Sequence, residues 1–181
     1  MKTRILLGVI ILSIWSVSTP LSAQTQHSER FRIGFQIGQS GLDFGLGLNM
    51  SIPIVREVVS LRLTASNHWL TYQQAETSVS TTYQIVRLGT APMGWFVADR
   101  MRVYGEGGVS VLFPSAELSA TRQTVGGYGV FGFECFVQEA YGSSLYFEIG
   151  GTSAGAQTSS TIEQPSFGAG LLINAGFRLA L

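Results

Sequence analysis

From residue 31 onward the chain alternates apolar and polar residues with period two, and in segment after segment the apolar side is almost unbroken. Period two is the side-chain period of an extended strand, because successive Cβ atoms point to opposite faces. Eight segments carry it: about 31–39, 43–52, 58–72, 82–96, 101–113, 125–138, 143–152 and 166–181. The last is the cleanest, setting Phe167, Ala169, Leu171, Ile173, Ala175, Phe177, Leu179 and Leu181 against Gly168, Gly170, Asn174, Gly176 and Arg178. The fourth, with Arg87 and Pro92, is the least regular. Helical i, i+3, i+4 periodicity is scarce, and no stretch of the strand region approaches the ~20 consecutive apolar residues of a membrane helix. The fold class is therefore all-β.

An unbroken apolar face needs a covering layer. No amphipathic helix is available to supply one, which leaves two solutions: two sheets packed face to face, or one sheet closed on itself with its apolar face turned to lipid. With 12% of residues charged against 45% hydrophobic, the chain carries roughly half the charge of an ordinary soluble domain, where about 25% is usual, and disorder is excluded. The connections favour the second solution. Those at 53–57, 97–100 and 139–142 are short, whereas 73–81, 114–124 and 153–165 are longer and rich in Ser, Thr, Gln and Ala; only 39–42 breaks the alternation. Short turns on one side, longer loops on the other and an even strand number describe a transmembrane barrel. The predicted architecture is an eight-stranded antiparallel up-and-down transmembrane β-barrel.

Lys2 and Arg4 precede the apolar run from Ile5 to Val17, and small residues follow to Leu21-Ser22-Ala23. That order is a secretory signal peptide, so residues 1–23 are predicted to be a leader and 24–181 the barrel. The remainder has nine arginines, no lysine and eleven acidic residues, a net charge of −2. No basic excess supports a nucleic-acid partner. A single cysteine, Cys135, excludes a disulfide framework and is expected to face lipid; no cysteine follows Ala23 to carry a lipid anchor. No His, Cys and carboxylate spacing suggests a metal. The glycine clusters at 105–108 and 126–129 lack the helix that a phosphate loop requires, so no cofactor is expected. Asn49-Met50-Ser51 matches a glycosylation pattern but lies within a strand.

The chain resembles the small eight-stranded outer-membrane β-barrels of Gram-negative bacteria, such as the OmpX and OmpA-type transmembrane domains. The resemblance rests on the leader, on Pro92 to Phe113 with its Tyr104-Gly105-Glu106-Gly107-Gly108 core, and on the terminal strand Gly170 to Leu181. It implies a porin-like barrel in the cell outer membrane, contact with outer-membrane lipid, and recognition of the last strand by the barrel-assembly machinery. Members usually close with an aromatic residue. Leu181 stands there instead, with Leu179, Phe177, Ala175 and Ile173 in the expected alternation. No peptidoglycan-binding domain is expected after the eighth strand.

Function has to be read from the inward face. Alternation turns Arg32, Arg62, Arg87, Arg102 and Arg178 inward with Glu106, Glu134 and Glu148. Eight strands make an interior that side chains can fill, and buried charges must pair. A lumen closed by an arginine and glutamate network is the main expectation, with a structural or surface-interaction role through loops 73–81, 114–124 and 153–165, and no catalysis. A narrow pore is the alternative. On the outward face, Phe44, Trp69, Phe113 and Phe167 are expected at the outer membrane interface and Phe31, Trp95 and Phe177 at the periplasmic one. Outer-membrane lipid A-modifying enzymes place a histidine and a serine in their sites, and Ser66 and His68 share one face here. A secreted soluble β-sandwich is the remaining alternative.

Overall fold

The computed structural model describes residues 30–55, 59–74, 77–92, 94–98, 100–120, 122–137, 142–157 and 166–181. The leader expected over 1–23, the tail residue His27 and much of the 153–165 connection lie outside them. Eleven strands are present: β1 (Arg32–Ser40), β2 (Asp43–Val55), β3 (Val59–Gln74), β4 (Thr77–Pro92), β5 (Trp95–Ala98), β6 (Met101–Pro114), β7 (Thr124–Phe136), β8 (Ser143–Thr152), β9 (Ala156–Gln157), β10 (Ser166–Phe167) and β11 (Gly170–Ala180).

Eight of these are long staves. Antiparallel pairing runs β1–β2–β3–β4, crosses from β4 to β6, continues β6–β7–β8, passes to β11 and returns to β1. Every stave has two hydrogen-bonded neighbours, which closes the ring, as a hydrocarbon surrounding requires, while the β3–β4 hairpin runs on past the end of the β4–β6 pairing at Tyr83. One end carries Arg30, where the described residues begin, and Leu181. The other carries Gly41, the β3–β4 tip, the segment after Pro114 and the connection after Thr152.

The two faces follow the alternation. Phe35, Leu48 and Phe147 point outward and are 48%, 63% and 43% exposed. Their inward neighbours Gln36, Asn49 and Glu148 are buried. A closed barrel that is apolar outside and polar inside inverts the usual soluble arrangement, and it is stable in a lipid surrounding because the strands' own side chains satisfy one another within.

The fourth segment differs from expectation. β4 begins at Thr77 and ends at Pro92, and Trp95 belongs to the separate short β5, which pairs with the start of β6. Proline has no N–H to continue a ladder, which explains the break. The phase is clear: Tyr83, Ile85, Arg87 and Ala91 are buried inside. Most of 73–81 is strand and not loop, since Gln74 pairs with Thr77 and Tyr72 with Val79. Thr71, Ser78 and Ser80 are polar on the outward side, so the apolar alternation stops there although the ladder continues.

The eighth segment is interrupted as well. Phe167 is not an outward interface aromatic: it is 3% exposed, on the small β9–β10 hairpin, with its ring 5.0 Å from that of Tyr83. Gly168 and Gly170 have φ values of +82° and +116°, conformations open to glycine. They break the phase between Phe167 and the stave that starts at Gly170. Phe167 joins Leu70, Tyr83, Ile85, Leu112 and Leu118 in an apolar cluster inside the loop end. Leu118 reaches it from the segment after β6, where its N–H bonds the carbonyl of Ser115 at 3.0 Å.

The outer wall makes a depth-dependent prediction. Phe147→Arg, midway along β8, should cost about 2–4 kcal/mol of unfolding free energy in lipid, and Thr71→Arg, beyond Trp69 at the loop end, about 0–1. Urea unfolding in vesicles checks both.

Candidate functional site: the lumen charge network

Three carboxylates organise the interior. Glu134 on β7 is 0% exposed. Arg102 Nε and Nη2 approach its Oε2 at 2.7 and 2.6 Å, a two-pronged contact from the residue directly opposite on β6. Arg32 Nη1 donates to its Oε1 at 3.2 Å and Ser144 Oγ at 2.5 Å, with Arg178 Nη1 at 3.6 Å. A planar guanidinium matches the two oxygens of a carboxylate, which a lysine ammonium cannot do.

Glu148 on β8 is the second centre. Its Oε1 accepts from Tyr104 Oη at 2.6 Å, Arg178 Nη2 at 2.8 Å and Arg62 Nη1 at 3.4 Å, and its Oε2 from Asn174 Nδ2 at 3.3 Å. Glu106 on β6 is the third. It takes Arg62 Nη1 at 2.7 Å and the Tyr128 hydroxyl at 2.6 Å. Arg62 and Arg178 bridge the carboxylates, so the ion pairs form one connected set across the barrel. Such a set is favourable only where its donors and acceptors are nearly all used. Arg62 Nε, Ser51 Oγ and Ser110 Oγ are buried without a partner.

The arginines also lie on aromatic rings. Arg178 sits 3.6 Å over Tyr146, Arg62 4.4 Å over Tyr104, and Arg32 and Arg102 5.2 and 5.5 Å over Phe136. These contacts add cation–π attraction where water is scarce. Each tyrosine of the set stands directly opposite a glycine: Tyr104 opposite Gly132, Tyr146 opposite Gly176, Tyr128 opposite Gly108. A Cβ at Gly132 would run into the Tyr104 ring, and one at Gly176 would stand 2.6 Å from that of Tyr146. For Tyr128 the clearance comes from the inward Gly89 on β4, where a Cβ would run into the phenol, and the rings floor the guanidiniums.

All eight inward charges expected from the alternation are on the inner wall. Seven take part in these ion pairs. Arg87 is buried, but no carboxylate among the described residues lies within ion-pair distance; its guanidinium faces the Tyr128 ring at 5.5 Å. Sequence reasoning missed the tyrosines as partners, along with Ser144 and Asn174. The usable signal was their position on the polar phase: Tyr104, Tyr128 and Tyr146 alternate with outward residues just as the charges do. It also missed the acidic group of the loop end, Asp43, whose Oδ2 accepts from Tyr83 Oη at 2.7 Å.

Ser66 and His68 do meet. Ser66 Oγ is 3.0 Å from His68 Nε2, and His68 Nδ1 is 3.3 Å from the main-chain carbonyl of Asp43. The pair is buried inside the barrel, with the imidazole stacked on Tyr83 at 5.4 Å. It points away from lipid, and a main-chain carbonyl holds the ring where a catalytic triad would have a carboxylate.

On the outer wall, Phe44 and Trp69 are paired across β2 and β3 and stack at 6.0 Å near the loop end, where the exposed Phe113 on β6 also lies. Trp95 and Phe177 are exposed toward the terminal end, and half-buried Phe31 accepts the Leu181 N–H at 3.0 Å. Cys135 is exposed on the outer side of β7.

A closed eight-stave antiparallel barrel with an apolar outer belt and a charged interior is the architecture of the small outer-membrane β-barrels. Comparison with solved structures agrees. The N-terminal β-barrel domain of OprF from Pseudomonas aeruginosa superposes with a TM-score of 0.59 at 11% identity, covering 85% of this chain and 98% of that one. The outer membrane protein OprG from the same organism gives 0.56 at 14% identity, covering 85% and 96%. At these identities the likeness is one of fold. No family model matches the sequence, and no curated protein matches it.

Removing a carboxylate centre while its arginines stay strands buried cations. Glu134→Gln should therefore lower unfolding free energy by about 3–5 kcal/mol. Glu106→Gln, which leaves Arg62 its contact with Glu148, should cost less. Urea midpoints of the folded barrel in detergent separate the two.

Proposed function

We propose that the protein is a cell outer-membrane barrel, delivered through a leader over residues 1–23, whose lumen is sealed by its own side chains. Its role in this reading is structural and surface-directed, exercised through the loop end and without catalysis. The observation that carries the reading is the connected set of ion pairs: Glu134, Glu148 and Glu106, held by Arg32, Arg62, Arg102 and Arg178, occupy the space a channel would need. The apolar cluster of Leu70, Tyr83, Leu112, Leu118 and Phe167 adds a second, dry barrier toward the loop end. An ion crossing the barrel would have to break charge-assisted hydrogen bonds and then enter an apolar layer.

In this reading lipid covers the outer belt, Phe44, Trp69 and Phe113 anchor the outer interface, and Phe31, Trp95 and Phe177 the periplasmic one. The barrel-assembly machinery reads β11 during insertion. External ligands meet the connections over 114–124 and 153–165 and the extended β3–β4 tip, since exposed loops on a rigid scaffold are where recognition resides.

Two measurements test this. Expressed in Gram-negative cells, the protein should fractionate with outer membranes and shift in gel mobility between unheated and boiled samples; a single mobility in the soluble periplasmic fraction overturns the barrel placement. In planar bilayers the purified barrel should give no discrete conductance steps. Regular unitary steps would replace the sealed lumen with the narrow pore.

A further inference from the structure

Among the described residues, one inward arginine has no carboxylate within ion-pair distance, and it stands among hydrogen-bond donors. Arg87, 4% exposed on β4, has Thr64 directly opposite on β3 and Ser110 directly opposite on β6, both buried on the same inner face. Ser110 Oγ has no hydrogen-bond partner. The carboxylate that Tyr128 touches is already engaged: Glu106 accepts from Tyr128 Oη at 2.6 Å and from Arg62 at 2.7 Å. Tyr128 therefore spends its proton on Glu106 and offers Arg87 only its ring, at 5.5 Å.

Five guanidiniums and three carboxylates cannot neutralise one another within the network, and a buried cation left uncompensated is unfavourable. A guanidinium has donors only, and a hydroxyl can donate as well. A row of guanidinium and two hydroxyls across three adjacent staves, with no acceptor assigned to the guanidinium, calls for a negatively charged acceptor. Five guanidiniums against three carboxylates leave two positive charges over, and the one on Arg87 has no carboxylate within ion-pair distance among the described residues, so it calls for one negative charge at that place.

We propose that the middle of the lumen, between Arg87 and Ser110, binds a small inorganic monoanion of the chloride class. Arg87 supplies the charge, Ser110 and Thr64 donate from either side, and the Tyr128 ring bounds the site. The inference rests on the sealed-lumen reading, because only a lumen closed to bulk water leaves Arg87 a buried cation, and the conductance measurement tests that reading separately.

The test uses the barrel refolded into detergent with radioactive chloride, with gluconate replacing chloride at constant ionic strength. The expected result is one chloride retained per wild-type barrel, with a melting midpoint that rises and saturates as chloride replaces gluconate. Arg87→Gln should lose both the bound chloride and the midpoint response, Arg87→Lys should keep both, and Ser110→Ala should bind more weakly. Wild-type barrel with no stoichiometric chloride and equal midpoints in the two salts overturns the proposal. So does unchanged binding in Arg87→Gln or, should that variant not fold, unchanged affinity in Ser110→Ala.

Discussion

A backbone that crosses hydrocarbon has no water to satisfy its amides, so every N–H and C=O must find a partner within the chain. For strands this condition has one solution, closure. The pairing of β4 with β6 and of β1 with β11 meets it, turning a meander of hairpins into a closed ring. Everything else in the molecule follows from that ring. Once it is closed, one side of each strand must face lipid and the other a narrow space, and residue chemistry divides accordingly.

The narrow space creates the second constraint. Side chains that enter it are buried, and this chain sends in five arginines. The solution is layered. Carboxylates bind the guanidiniums edge-on, aromatic rings bind them face-on, and inward glycines provide the clearance. The no-lysine composition of the barrel region suits this construction, because an ammonium can neither fork onto a carboxylate nor stack on a ring as a guanidinium does. Toward the loop end the filling changes to Leu70, Ile85, Leu112, Leu118 and Phe167. The interior is polar where ion pairs can close and apolar where loops fold over it.

Much of this was legible in the sequence. The strand count, the phase of the outward belt and the inward direction of Arg32, Arg62, Arg102, Arg178, Glu106, Glu134 and Glu148 all follow from period two. The difficulties share one cause. Alternation identifies a strand only while one face is apolar, so it ended before the β3–β4 hairpin did, leaving Gln73 to Thr81 looking like a loop. It also carried Phe167 onto the outer wall, because a phase break at two glycines of positive φ is invisible to a pattern that counts every second residue.

The sequence by itself determined which side of the wall most residues of the eight staves occupy, because extended backbone geometry imposes the alternation whatever the strand's neighbours are. Only the tertiary structure decided who meets whom across the lumen. Arg32 reaches Glu134 over 102 residues and Arg178 reaches Asn49 over 129. Those meetings depend on the stagger between staves and on the curvature of the closed ring. The same geometry left Arg87 beside Ser110 and Tyr128 with no carboxylate among the described residues within ion-pair distance. Pairing across a barrel is a property of its closure, and closure is set by all eight staves together.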